Sequence, residues 1–262
     1  MRAHVLRFGC LIAAAWLLSA CAEDTPEIYI LQNASTDDDC EPSTAADVFV
    51  SRGTLDLFVT NQYVMFPLAR NSMVPSEDVS FGAAGGAAGG GLEGNEWEAN
   101  TVTLRRARVE FDAPAALGVP LPSDFEIPIS GSINPADEAA VGLQVVTPSI
   151  GNALAASPLL QASSSSVTML VRIKFFGVTG AGREVDSNEF VFPIELCFGC
   201  LLDVPPEAID PAFPTPNCRV FDEFDSNTVT DQCFIGQDQP VDCRLICPLV
   251  SDEDPTGICQ PL

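Results

Sequence analysis

Residues 167–178 read VTMLVRIKFFGV, and their side chains alternate in character around Arg172 and Lys174. A period of two residues is typical of a β-strand with one face against the core. Residues 179–182, TGAG, have the composition of a turn, and residues 190–196, FVFPIEL, form a second apolar strand candidate. The stretch therefore predicts a β-hairpin.

Strand patterns recur on the N-terminal side of this hairpin, whereas helix signals are few. Candidate strands lie at residues 53–60, 63–66, 101–111, 125–129 and 141–146. One short helix is expected within residues 149–161, with Ser149 as its cap and Pro158 ending it. Short strands separated by turn residues predict an all-β fold, an antiparallel β-sandwich that is Ig-like in general architecture.

The N-terminus has the layout of a secretory signal. Arg2 and Arg7 precede an apolar run at residues 8–20, which is too short to span a bilayer and ends in Leu18-Ser19-Ala20-Cys21. This ending resembles the lipobox of bacterial lipoproteins. The resemblance implies cleavage before Cys21 and acylation of that cysteine, with palmitate-type chains as the membrane anchor. Ala22, which follows the cysteine, implies the outer membrane by analogy with enteric lipoproteins.

Four regions follow from these patterns. We expect a signal peptide at residues 1–20, a lipidated acidic tether at 21–40, a β-sandwich domain at 41–200 and a cysteine-rich, loop-dominated C-terminal segment at 201–262. Within the tether, residues 28–31 are either a short strand docked on the body or a short apolar stretch of a linker. The chain also resembles cysteine-rich lipoproteins of myxobacteria, on the segment at residues 192–201, FPIELCFGCL. That resemblance implies an envelope location and no particular chemistry.

Cysteines concentrate in the C-terminal part of the chain. Cys10 lies in the signal and Cys21 is the lipidation site, which leaves Cys40, Cys197, Cys200, Cys218, Cys233, Cys243, Cys247 and Cys259. An even set in an exported protein predicts up to four disulfides whose pairing the sequence leaves open. If all are oxidised, Cys40 must pair with a cysteine of the tail.

Sharper interpretations of the Cys197-Phe198-Gly199-Cys200 motif fit less well. A thioredoxin-like redox pair lies at the start of a helix. Residues 201–206, LLDVPP, are a poor start for a helix. Haem attachment requires a histidine directly after the second cysteine, and this position is Leu201. A zinc site from Cys197, Cys200, Cys218 and Cys233 competes with oxidation outside the cytoplasm. We expect structural disulfides and no metal or cofactor.

Charge and composition narrow the functions further. The chain has a formal net charge of -24, and removal of the signal takes away two arginines and the single histidine, His4. An acidic surface disfavours nucleic acid as a partner. A mature chain without histidine cannot use a Ser-His-Asp or Cys-His nucleophile. The basic cluster at Arg105, Arg106 and Arg108 is expected to pair with carboxylates.

These observations predict a lipid-anchored envelope protein that acts as a non-catalytic binding or structural module. Its membrane contact would be the lipid on Cys21, and its protein or glycan partner in the envelope is not specified by the sequence. The alternative is a carboxylate-dependent glycan hydrolase, which needs two acids about 5 to 9.5 Å apart in a cleft.

Overall fold

The computed structural model describes residues 25–45, 47–76, 98–162, 166–209, 217–218 and 233–246. Its strands are β1 (Ile28–Ala34), β2 (Phe49–Val50), β3 (Gly53–Asp56), β4 (Tyr63–Met65), β5 (Pro67–Asn71), β6 (Val102–Asp112), β7 (Asp124–Ile133), β8 (Glu138–Ala140), β9 (Leu143–Val146), β10 (Val167–Thr179), β11 (Glu184–Asp186), β12 (Phe190–Cys197), β13 (Leu202–Asp203) and β14 (Val241–Asp242). Its helices are α1 (Pro148–Ala155) and α2 (Pro158–Gln161). Single 3₁₀ turns lie at Ala115–Leu117, Pro206–Ala208 and Cys243–Leu245.

The larger sheet is built around β10, the strand predicted from the period-two pattern. Its strand order is β3-β12-β10-β6-β7, and β11 also pairs with β10. β6 runs along one edge of β10, while β11 and β12 share the other edge in succession. The predicted turn therefore leads first into β11, and β12 continues the same side of the ladder. Within this sheet every pair of strands is antiparallel except β3 with β12, which is parallel.

The smaller sheet has the order β2-β1-β5-β8, and β4 pairs separately with β9. β1 buries Ile28 and Ile30, so the strand interpretation of residues 28–31 is confirmed. The stretch assigned to the tether at 21–40 thus contains a strand of the body. Its alternating apolar residues have a core to face, which a free linker would not provide.

One apolar core joins the two sheets. β10 contributes Met169, Val171, Ile173 and Phe175, all fully buried, and β1, β4 and β9 contribute residues to the same cluster. The all-β prediction is confirmed, and the two sheets curl over this shared core. The closer likeness to an Ig domain stays a prediction.

The helical segment differs from its prediction in two details. Two short helices replace the single one, and Thr147 rather than Ser149 is the residue before the first turn of α1. Pro148 occupies the first helical position, where its missing N–H costs no hydrogen bond. Pro158 begins α2 for the same reason.

The described part of the cysteine-rich tail is loop-dominated, as predicted. Its regular structure is the short parallel pair of β13 with β14. A small separate cluster of buried residues contains Ala208, Cys218 and Cys243. The tail lies against the body along β3, where Leu55 forms an isolated bridge with Gln237.

Candidate functional site

Asp56 ends β3 and holds the Cys197–Cys200 loop in place. The sequence pattern predicts a strand through residue 60, but the strand stops at Asp56 because this side chain accepts a hydrogen bond from the Phe58 N–H at 3.0 Å. The same carboxylate accepts the Gly199 N–H at 2.7 Å and the Leu201 N–H at 2.9 Å. A buried side chain thereby satisfies three backbone donors that a turn would otherwise leave unpaired.

Burial raises the pKa of Asp56 above its ordinary value, although the hydrogen bonds from Leu201, Gly199 and Phe58 act in the opposite direction. The carboxylate also lies within 4.8 Å of both sulfurs of the Cys197–Cys200 pair. Those sulfurs are joined in a disulfide, so they are not available as thiolate ligands. The arrangement is suited to fixing a loop.

Three disulfides link six of the eight candidate cysteines. The pairs are Cys40–Cys233, Cys197–Cys200 and Cys218–Cys243. The alternative zinc ligands Cys197, Cys200, Cys218 and Cys233 are thereby divided among all three. The link from Cys40 to the tail is present, and Cys21, Cys247 and Cys259 lie outside the described residues. Disulfides of this number are typical of proteins outside the cytoplasm.

Asp238 forms a second polar connection between the tail and the body. Its carboxylate accepts the Thr54 N–H at 2.6 Å and the Tyr63 hydroxyl at 2.9 Å. Burial raises the pKa of Asp238, and the hydrogen bonds from Thr54 and Tyr63 oppose that rise. Its backbone has a φ of 63°, a left-handed conformation that Asp tolerates better than most residues. Burial also raises the pKa of the Tyr63 hydroxyl, with Asp238 adding to the effect.

Gln237 completes this connection by imitating a strand partner. Its side-chain amide accepts the Val64 N–H at 2.9 Å and donates to the Val64 carbonyl at 2.7 Å. Both free backbone groups of Val64 are thus paired by one side chain. The preceding Gly236 has a φ of 83°, and a Cβ there would lie 2.7 Å from Val59. Only glycine fits that close approach without displacing the neighbour.

The pockets formed by the described residues include two small ones. One, about 80 Å³, lies beside the tail and is lined by residues that include Phe66, Phe234 and Asp238. The other, about 240 Å³, is lined by ten residues between Phe111 and Ser123, none of which has a titratable side chain. Both are smaller than the roughly 300–1,000 Å³ of usual small-molecule sites, and neither is lined by two carboxylates. Neither therefore has the paired acids that a glycosidase requires.

The exposed face of β6 and β10 carries a different kind of site, which we call the Phe176 cluster: Phe176, Arg106, Arg108 and Lys174. The guanidinium carbons of Arg106 and Arg108 lie 4.6 and 5.2 Å from the centre of the Phe176 ring, and the Lys174 ammonium lies 5.8 Å from it. Three cations are thus placed around one aromatic ring, an arrangement that the ring quadrupole favours.

The carboxylates near the Phe176 cluster balance it incompletely. Arg106 and Arg108 share Glu126, at 3.2 and 3.9 Å, and Lys174 pairs with Asp186 at 2.6 Å. The prediction that these arginines pair with acids is confirmed for Arg106 and Arg108. These side chains are all between one third and one half exposed, and such pairs contribute about 0 to 1 kcal/mol.

Arg105 adds a further positive charge beside the Phe176 cluster. The pairing of β6 with β7 and with β10 skips this residue in both registers. Its side chain is exposed and makes no ion pair with any residue in the described ranges. Together with the cluster, four cations face three carboxylates, those of Glu126 and Asp186 and that of the exposed Glu184, which pairs with Val178 on the same face. A small local surplus of positive charge remains on a strongly acidic protein.

The other end of the same face is acidic. Arg172 lies 2.8 Å from Glu189 and 3.6 Å from Asp112, and its cross-strand partner on β6 is Glu110. One cation there meets three acids. The exposed face of β6 and β10 is therefore polarised along the strands, positive around Phe176 and negative around Arg172.

No protein-family model and no curated protein matches this chain. Among the described residues, no helix has the length and apolar character needed to cross a membrane.

Sequence reasoning identified the basic cluster at Arg105, Arg106 and Arg108 but missed Asp56, Asp238 and Phe176. Asp56 and Asp238 are two acids among 36, and nothing local distinguishes them. Phe176 offers one signal, since it is the aromatic member of three apolar residues, with Leu170 and Val178, that occupy the outward register of β10.

Proposed function

We propose that the protein is a lipid-anchored, non-catalytic module of the cell envelope that binds a partner through the exposed face of β6 and β10. It is exported by its signal, held at the outer membrane through acyl chains on Cys21, and presents a rigid folded body beyond a short tether. The observation that carries the proposal is the surplus of cations around Phe176.

The rigidity of this face supports a binding role. β10 is paired along both edges, so the backbone positions of Phe176, Lys174 and their β6 neighbours are fixed by ladder hydrogen bonds. Binding groups that are already in place lose little conformational freedom when a partner arrives. The two carboxylates with raised pKa values, Asp56 and Asp238, are engaged by donors within the protein and serve to attach the tail.

The membrane anchor is tested by changing Cys21 to Ser in the full-length precursor. The wild-type protein should sediment with outer-membrane vesicles, and the variant should not be acylated. Retention of C21S on membranes to the same extent as the wild type would contradict the anchor.

The binding face is tested by photo-crosslinking in intact cells. A photoreactive residue at Arg105, next to the Phe176 cluster, should capture an envelope component. The control places the same residue at Arg70, an exposed arginine of the smaller sheet paired with Glu138. Capture of one defined component at position 105 but not at 70 is expected, and identical capture profiles at the two positions would overturn the assignment of the face.

A further inference from the structure

We infer that the Phe176 cluster binds the carboxylate or phosphate groups of an anionic envelope glycan. This inference rests on the proposed function and names the partner class for the same face. It is drawn from the charge and geometry of the two ends of that face.

The cations of the Phe176 cluster are suited to oxyanions. Guanidinium groups present parallel N–H donors that match carboxylate and phosphate oxygens, and two of them lie on β6 at Arg106 and Arg108. The Phe176 ring lies against both guanidiniums and restricts where they point. Less side-chain entropy is then lost when an anion binds.

The carboxylates present can be displaced at small cost. Glu126 is shared by two arginines and is about half exposed, so its pairs are weakened by water and salt. An incoming oxyanion can replace Glu126 on one arginine while the other keeps its partner. Arg105, which has no ion pair in the described part of the chain, offers a further contact.

The acidic end distinguishes a glycan from other anions. The carboxylates of Asp112, Glu189 and Glu110 accept hydrogen bonds and repel negative charge. Sugar hydroxyls are donors, so a glycan with charge on some residues can place an anionic group at Phe176 and a neutral residue at Arg172. An acidic peptide or a nucleic acid, with charge at nearly every unit, would bring like charges together there.

The geometry of the strands also disfavours a peptide added as an extra strand. β6 and β10 are interior strands whose backbone groups are used on both edges by β7, β11 and β12. A partner must therefore contact side chains on the flat face. The net charge of the protein does not prevent this, because charges farther than about 8 Å are largely screened at physiological salt.

The test measures binding of the disulfide-intact mature protein to immobilised glycans. Hyaluronate, which has a carboxylate on every second sugar, supplies carboxylates, a phosphomannan supplies phosphates, neutral dextran supplies neither, and poly-aspartate represents an acidic peptide. We expect the protein to bind one or both anionic glycans, and we expect added salt to weaken this binding. It should bind neither dextran nor poly-aspartate. The first two arms tell which oxyanion is recognised.

Three variants assign the binding to the cluster. Arg106→Gln with Arg108→Gln should weaken binding by about tenfold or more, because two charge-assisted contacts are lost. Glu126→Gln should strengthen it by about two- to fivefold, since both arginines lose their competing carboxylate. Arg70→Gln removes an equally exposed arginine from the smaller sheet and should bind as the wild type does. A thermal melt confirms that each variant is folded.

Several outcomes would overturn the inference. They are wild-type affinity in the double arginine variant, no gain or a loss of affinity in E126Q, equal binding of poly-aspartate, or no binding to either anionic glycan. If photo-crosslinking at position 105 still captures an envelope component in that case, the proposed binding face stands and only the glycan assignment fails. If glycans bind but C21S remains on membranes, the lipid anchor fails and the glycan site stands.

Discussion

The strand β10 and the described part of the tail, residues 201–209, 217–218 and 233–246, are held in the molecule by different forces. β10 buries four consecutive inward side chains, from Met169 to Phe175, in the shared core. The tail has a small cluster of its own and is joined to the body by the Cys40–Cys233 disulfide and by the side chains of Gln237 and Asp238. Asp56 reaches from the body in the other direction, to the Cys197–Cys200 loop.

This contrast shows how a segment without enough apolar residues can still take a defined position. Apolar burial is roughly proportional to area and has little directional preference. Hydrogen bonds and disulfides contribute less in total but require particular geometry. We therefore expect damage to β10 to lower the stability of the whole protein, and damage to the tail contacts to loosen the tail first.

The largest effect is expected from Phe175→Ala in the core of β10. Loss of a fully buried ring should lower the free energy of unfolding by about 3–5 kcal/mol. Urea denaturation followed by circular dichroism measures it. Phe176→Ala, one residue later on the exposed face, is the matched control and should cost far less. Equal losses in the two variants would contradict the assigned faces of β10.

The next largest effect is expected from Cys40→Ser with Cys233→Ser. This disulfide joins residues that are 193 positions apart in the sequence. Its loss should lower the free energy of unfolding by about 2–4 kcal/mol. Hydrogen exchange should quicken first and most at residues 236–241, with a smaller change at the β10 amides. Removing the Cys218–Cys243 pair, which spans only 25 residues, provides the comparison within the tail. If the β10 amides lost protection to the same degree as the tail, the two regions would not be separable in the way described.

Asp56→Ala should have a smaller effect, centred on the Cys197–Cys200 loop. The N–H groups of Gly199 and Leu201 lose their acceptor, and unsatisfied buried groups cost about 1–3 kcal/mol. Faster amide exchange at these two residues is the direct measurement. Asp186→Ala, which removes a half-exposed partner of Lys174, serves as the control and should leave both amides unchanged. Unchanged exchange in D56A would show that this carboxylate does not hold the loop.

The smallest effect concerns pH. Because burial raises the pKa of Asp238 above 3.8 in the folded protein, the folded state holds that proton more tightly than the unfolded chain. The contribution to stability is fully present below pH 3.8 and is lost as pH rises through the raised folded pKa. Asp238→Asn should flatten this part of the stability curve in thermal melts taken between pH 3 and 7.

High salt provides the control for that measurement. A shift caused by burial should persist at 1 M salt, where the Debye length falls to about 3 Å and surface ion pairs are screened. A D238N curve parallel to the wild type at both salt concentrations would mean that Asp238 does not titrate differently on folding.

The main sheet was accessible from the sequence because strand patterns are local. The alternation in residues 167–178 reports one buried face, and the structure buries that face. The strand predicted at residues 53–60 was cut short for a reason that alternation does not record: Asp56 bonds to the amide of Phe58 and starts a turn. β11 was missed because it has three residues, too few to show a period.

The candidate sites were much less accessible. Disulfide partners, and the donors to Asp56 and Asp238, lie far away in the chain; Thr54 and Asp238 are 184 residues apart. The arginine cluster at residues 105–108 was visible, but its meaning depended on Phe176 from another strand.

The sequence by itself determined the β-rich class, the strand at the centre of the main sheet, the likeness of the N-terminus to a lipoprotein signal, and the need for Cys40 to reach the tail if every remaining cysteine is oxidised. These depend on composition and on patterns within about ten neighbouring residues. Only the tertiary structure decided which cysteines pair, which acids attach the tail and where the cations collect around Phe176. Those choices are made by contacts between distant segments, and the chain brings such segments together only when the shared core forms.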